Sequence, residues 1–217
     1  MKPTLLLSFC ILTSALSLAQ EKREILVDIK SKYLLIRELI DTNTLRQYYT
    51  DYTCEESVEK GTLTFYFNSR ELKHILHQYT QGYVSFKDEY YVWDDQLFFA
   101  FSTHEITYKD YEKNKKKRIQ KVDVVLTLEE RFYFHNFEPI KCQFKDFETR
   151  SNRSKNPTTN YVRNKTADCD QTDRIIEKFN TLLAYQNVII DDECELPRSI
   201  SKIISDNVID RNVNKKQ

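Results

Sequence analysis

The sequence predicts an α+β domain: a single antiparallel β-meander of about six or seven strands, with an N-terminal helix and C-terminal helices packed on one face. Three observations predict it. A helical stripe opens the chain after residue 20, a period-two pattern recurs three times in the middle, and a second helical stripe follows a polar loop.

The first twenty residues, "MKPTLLLSFCILTSALSLAQ", have the three parts of a secretory signal. Lys2 supplies the basic start, Leu5 to Leu12 the apolar segment, and Ser17-Leu18-Ala19 the small residues at −3 and −1. Residues 1–19 are therefore expected to be a signal peptide, cleaved after Ala19. A retained anchor is the alternative, but the apolar run is shorter than the roughly 20 residues that span a bilayer. Lipidation at Cys10 is not expected, because the bulky Phe9 precedes it. Removing residues 1–19 takes away only Lys2 of the 33 basic residues, leaving 32 against 33 acidic ones. A nucleic-acid partner would demand a basic excess, so none is expected. No integral membrane segment is expected after signal cleavage.

Residues 22–40, "KREILVDIKSKYLLIRELI", repeat Ile25, Ile29, Tyr33, Ile36 and Ile40 at helical steps, widened by Leu26 and Leu39. Asp41-Thr42-Asn43 ends this helix. From Gly61 the period becomes two. "TLTFYF", "NSRE" and "LKHILHQY" read as strand, turn and strand, and "YYVW-DDQ-LFFAF" and "RFYF-HNFEP-IKCQF" repeat the scheme. Phe65-Tyr66-Phe67 aligns with Tyr90-Tyr91-Val92 and Phe132-Tyr133-Phe134, so three irregular copies of one hairpin are expected, the third with a turn one residue longer. The Lys-rich insert 109–120 reads as a hairpin tip that stays in water; an RNA- or membrane-binding patch is the alternative, disfavoured by the neutral whole chain.

Parity sorts these strands into two faces. Phe65, Phe67, Tyr90, Val92, Phe132 and Phe134 should pack on the helices. Tyr66, Tyr91, Trp93, Tyr133 and His135 fall on the other face. Rings with polar tips suit an interface, so Tyr66, Tyr91, Trp93 and Tyr133 are the candidate interaction face; ordinary sheet packing is the alternative.

Residues 149–168 form a polar loop that ends the sheet, read as a mobile segment tethered by a disulfide. It holds two glycosylation sequons, at Asn152 and Asn164, which matter only in a eukaryotic host. Asp170 or Thr172 then caps a helix with the stripe Ile175, Ile176, Phe179, Leu182 and Leu183. Ile200, Ile203, Ile204 and Val208 suggest a short third helix before the frayed end "NVNKKQ". The expected division is signal peptide 1–19, α+β domain 20–186, and C-terminal appendage 187–217.

After cleavage four cysteines remain, and an even number in an oxidising compartment implies two disulfides. Cys142–Cys169 is the preferred pair, because it closes the polar loop. Cys54–Cys194 follows by elimination. No C-x-x-C spacing suggests a zinc or thioredoxin-type site.

The chemistry-bearing residues form no motif. Gly61 and Gly82 are the only glycines, too few for a phosphate-cradling loop or a G-x-S-x-G elbow. His74 and His77 would share a helical face, but on a strand they point to opposite sides. A Cys–His nucleophile pair would need free thiols. Adjacent acids such as Glu55-Glu56 or Asp94-Asp95 do not give the separated pair of a glycosidase, and Asp94-Asp95 reads as turn chemistry. No catalytic, cofactor-binding or metal-binding residue is assigned, and no cofactor is expected.

The signal segment, the I-x-x-x-I helix, "YY-x-x-D-x-x-LFF", "EERFYFHNFEPIKC" and "NKTADCDQTDRIIEKFNTLLAY" together resemble a family of uncharacterised secreted or periplasmic proteins of Gram-negative bacteria. The likeness covers about residues 1–186. It implies an envelope location and a small sheet-plus-helix fold, and it brings no catalytic residues. The leading expectation is a non-catalytic secreted or periplasmic binding or interaction protein, whose partner is an unidentified protein or an apolar ligand. Two alternatives stand beside it: a carrier holding a lipid or other apolar ligand between sheet and helices, and an enzyme with dispersed catalytic residues.

Overall fold

The computed structural model describes residues 4–56, 59–113, 117–186, 190 and 192–203, with the side chains from residue 20 onward. The side chains of the signal segment, the insert residues 114–116, and Ile204, Val208 and the C-terminal end lie outside the described residues.

The helix α1 (Thr4–Asp41) precedes eight strands: β1 (Arg46–Cys54), β2 (Glu59–Asn68), β3 (Glu71–Gln81), β4 (Val84–Trp93), β5 (Gln96–Lys113), β6 (Ile119–His135), β7 (Glu138–Arg150) and β8 (Lys165–Thr166). They form one antiparallel sheet in sequence order. Two helices follow, α2 (Thr172–Leu183) and α3 (195–203). The strand count is thus eight, not six or seven. The additional strands are the edges: β1 is mostly exposed, so it carries little alternation, and β8 is only two residues long.

The α1 helix stops where its sequence suggests. Asn43 takes a left-handed φ of 52°. The Thr44 N–H donates to Leu39 O and the Asn43 N–H to Ile40 O, which satisfies the terminal carbonyls in a Schellman motif with Asn in place of Gly. Neither Asp170 nor Thr172 caps α2. Gln171 occupies that position without a side-chain hydrogen bond, and the Thr172 hydroxyl instead donates to Cys169 O.

The three hairpins are closer copies than the sequence suggested. Each turn has two residues, Ser69-Arg70, Asp94-Asp95 and Asn136-Phe137, so the third is not longer. Asp94, Asp95, Asn136 and Phe137 all have positive φ, the backbone of a turn matched to strand twist. Each returning strand then carries one extra residue, Lys73, Phe98 or Ile140, where the register shifts. Such a bulge puts two consecutive side chains on one face and sharpens the local twist. In all three copies the doubled side chains fall on the same face as Tyr91.

Both faces of the sheet are covered. On one, Leu63, Phe65, Phe67, Tyr90, Val92, Phe132 and Phe134 pack with Ile175, Phe179 and Leu182 of α2 and with Leu196, Ile200 and Ile203 of α3. Thus the segment expected as an appendage contributes to the main core. On the other, Tyr91, Phe98 and Phe99 pack with Ile29 and Ile36 of α1, flanked by Tyr66, Trp93 and Tyr133. The helices therefore do not share one face. Two apolar helical stripes need two surfaces, and a sheet with apolar side chains at both parities supplies them.

Two disulfides, Cys142–Cys169 and Cys54–Cys194, hold α2 to β7 and the start of α3 to the end of β1. Each closes a long loop and contributes about 3–5 kcal/mol in the chain-entropy account. Such bonds belong to an oxidising, extracytoplasmic environment. No helix among the described residues is long and apolar enough to cross a membrane.

Candidate functional site

The four rings of the candidate interaction face do lie together, but α1 crosses them. Tyr91 is 1% exposed, and Tyr66, Trp93 and Tyr133 are half-buried. Tyr33 of α1 meets Tyr91 edge-on at 5.0 Å and Phe99 at 5.4 Å. Trp93 lies between Lys73, 4.1 Å from its ring, and Lys32 of α1, at 5.6 Å. The rings are not a bare surface for a protein partner. They are the bed of a helix, and their polar tips find partners: the Tyr91 hydroxyl donates to Glu89 at 2.9 Å and that of Tyr133 to Gln143 at 3.3 Å.

Glu89 pins α1 from beneath. Lys87 approaches it to 2.7 Å, His74 to 3.4 Å and Arg37 of α1 to 3.7 Å. Burial opposes ionisation of Glu89, but the neighbouring His74 and Lys87 outweigh it and bring the carboxyl down to about 2. The His74 imidazole is itself pushed down, chiefly by burial, so the ring is neutral at pH 7. Among the described residues its Nδ1 has no hydrogen-bond partner, and its Nε2 meets only the Glu89 carboxylate, at 3.4 Å.

Toward the amino-terminal end of this contact, helix and sheet separate and leave a cleft of about 360 Å³. Phe99, Phe101, Arg131, Tyr133 and Lys141 form its floor. Leu26, Ile29, Lys30, Tyr33 and Leu34 of α1 form its wall. Ile29 and Phe99 are buried, whereas Leu34 at the rim is 54% exposed. Beyond Arg131 the face is closed by the polar loop. Thr159 gives its carbonyl to Lys145 at 2.7 Å and its hydroxyl to Glu129, and Arg131 reaches Glu129 at 2.6 Å and Asn164 at 3.0 Å. Asn156 further ties the loop to the Arg150 backbone at 2.8 Å and 3.0 Å. The disulfide is therefore one of several tethers.

The opposite face holds a denser set of titratable groups. Lys178 of α2 contacts Asp88 at 2.5 Å and Tyr79 at 2.9 Å, all three buried. Burial disfavours both charges, yet each holds the other ionised: Asp88 is pushed down and Lys178 up. Nearby, Tyr52 donates to Glu59 at 3.2 Å. Its single proton is then spent, so the 2.7 Å contact with His77 Nε2 requires the neutral imidazole to donate. Burial, followed by the Lys178 charge, drives the His77 pKa down to about 3. Gly61 makes room for Tyr52, because a Cβ there would sit 2.5 Å from the phenol oxygen. A shallow groove reaches Tyr52, Tyr79 and Phe86, but its lining does not include His77, Asp88 or Lys178. Carboxylate and histidine converge here, but under α2 and outside the lining of that groove, whereas an enzyme needs them in a cleft.

His74 and His77 occupy opposite faces, His135 is exposed, and His104 lies 4.0 Å from Asp88. Cys54, Glu56 and Cys194 come close together, but the two sulfurs are bonded to each other and offer no thiolate.

The sequence reading missed Lys178 and Asp88 as a buried polar set under α2, Glu89 as a buried acid under α1, and Lys30, Arg131 and Lys141 as cations of a cleft. For the first set a signal existed. Lys178 occupies the α2 stripe with Ile175, Phe179 and Leu182, and Asp88 shares parity with Phe86, Tyr90 and Val92. The chain matches no protein-family model, no curated protein and no solved structure with which it was compared.

Proposed function

We propose that this is a non-catalytic, secreted or periplasmic binding protein that carries an apolar ligand between α1 and the sheet. The single observation behind this reading is the cleft of about 360 Å³ floored by Phe99, Phe101 and Tyr133 and walled by Leu26, Ile29 and Leu34. Its volume falls within the range of about 300–1,000 Å³ usual for small-molecule sites. The wall is a helix resting on the sheet, so a modest outward shift of α1 enlarges the space without breaking the ladder. Protein docking on the aromatic face is disfavoured because α1 already occupies it. The two disulfides and the signal-like first twenty residues support an extracytoplasmic location, as does the resemblance to secreted and periplasmic proteins of Gram-negative bacteria, which rests on its motifs alone.

Native mass spectrometry of the mature protein, purified without detergent from an envelope extract, tests this directly. The expected result is a mass excess lost on denaturation, together with saturable one-to-one binding of the neutral fluorescent probe N-phenyl-1-naphthylamine. Bare protein with no saturable probe binding would remove the proposal.

A further inference from the structure

We infer that the ligand of the α1 cleft is a single-chain amphiphile with an anionic head. The inference rests on the carrier reading and adds the charge and shape of the occupant.

The cleft lining is aliphatic and aromatic, with Tyr33 and Tyr133 among the rings; its charged residues are three cations, Lys30 from α1, Arg131 from β6 and Lys141 from β7, and it contains no acid. This bias is local, because the whole chain has as many acidic as basic residues. Among the described residues neither Lys30 nor Lys141 has a carboxylate within ion-pairing distance, and Lys141 instead rests 5.4 Å from the Tyr133 ring. Arg131 uses one N–H on Glu129 and one on Asn164, and it stacks over Phe101 at 4.6 Å. A guanidinium has five N–H donors, so three remain for a ligand. Arg131 and Lys141 are half-buried at the apolar cleft and Lys30 is exposed at its edge, so an anion held among them regains the desolvation cost of the first two through charge-assisted hydrogen bonds. Phe99 and Phe101 lie beside these cations and offer an apolar track for a chain. The volume is near the lower end of small-molecule sites and suits one chain rather than two.

The anionic head can be a carboxylate or a phosphate, and the test separates them. Mature protein is titrated with cis-parinaric acid and with its methyl ester, a pair that shares one chain and has an anionic or a neutral head. The acid is expected to bind about tenfold more tightly than the ester. In the Lys30→Gln/Lys141→Gln double variant the acid-to-ester ratio should fall toward one. Competition then names the head: displacement of the acid by palmitate identifies a carboxylate, and by a lysophosphatidate of the same chain length a phosphate. Either outcome supports the inference, provided a neutral monoacylglycerol competes at least tenfold less well. Equal binding of acid and ester overturns the anionic head and leaves the carrier reading standing. Binding of neither probe overturns both.

Discussion

The two faces of this sheet are covered by helices in different ways. The α2/α3 face is closely packed, with a shallow groove beside Tyr52, Tyr79 and Phe86. It has the larger apolar cluster, a buried Lys178–Asp88 ion pair, the Glu59–Tyr52–His77 hydrogen-bond chain and both disulfides at its margins. Among the described residues the α1 face is held by a smaller cluster, one helix-to-sheet ion pair at 3.7 Å and aromatic edges, and it keeps a cleft. The difference teaches where change is tolerated. Segments with few buried contacts open at low free-energy cost, and ligand sites are drawn from them. The more densely packed face fixes the sheet so that the other can yield.

The largest expected effect is on the α2/α3 face. Lys178→Ala leaves Asp88 buried without its partner and should cost about 3–5 kcal/mol in urea unfolding. Asp88→Asn combined with Lys178→Met should recover most of that loss. If Lys178→Ala unfolds like the wild type, the ion pair is not what holds α2.

Acid should act next, and on the same face. The folded His77 pKa, at about 3, lies below the unfolded value of 6.5. The folded state therefore binds fewer protons. Its stability is fully present above about pH 6.5 and is lost as pH falls toward 3. Between pH 6.5 and pH 4 the loss from this group should be about 3 kcal/mol. His77→Gln should remove that part of the slope in chemical denaturation at a series of pH values. A slope unaltered by the substitution would place the titration elsewhere.

On the α1 face the corresponding effect is small. Arg37 is partly exposed, and its 3.7 Å approach to Glu89 is long. Arg37→Ala should cost less than about 1 kcal/mol globally. Hydrogen exchange in α1 should nonetheless accelerate, while that in α2 stays as in the wild type. Equal acceleration in both helices would contradict the asymmetry.

Much of this contrast could be read in the sequence. The α1 stripe, the α2 stripe and the parity of the aromatic strands place Ile29, Ile36, Phe179, Phe65 and Tyr90 in the core, and closing the polar loop selects the disulfide pairing. Which face each helix takes was not legible. Both parities are apolar enough to be buried, and the amphipathic set Tyr66, Tyr91, Trp93 and Tyr133 reads equally well as a free surface or as a helix bed. The three bulges were not legible either. Strict alternation sends Ile140 to the α2 face, whereas one extra residue in β7 sends it to α1. The cleft depends on that geometry, since Lys141 and Arg131 come together only through the register of β6 with β7. The buried ion pair left a readable trace, a lysine on an apolar stripe and an aspartate at an apolar parity.

The most direct test of the central claim is a titration of N-phenyl-1-naphthylamine into wild-type protein and the Leu26→Trp variant. Leu26 is half-buried on the cleft wall, so the larger ring fills the space without entering the core. The account predicts at least a tenfold loss of probe affinity, with unfolding free energy within about 0.5 kcal/mol of wild type. Wild-type affinity in a folded Leu26→Trp protein would show that the probe binds elsewhere and would contradict the account.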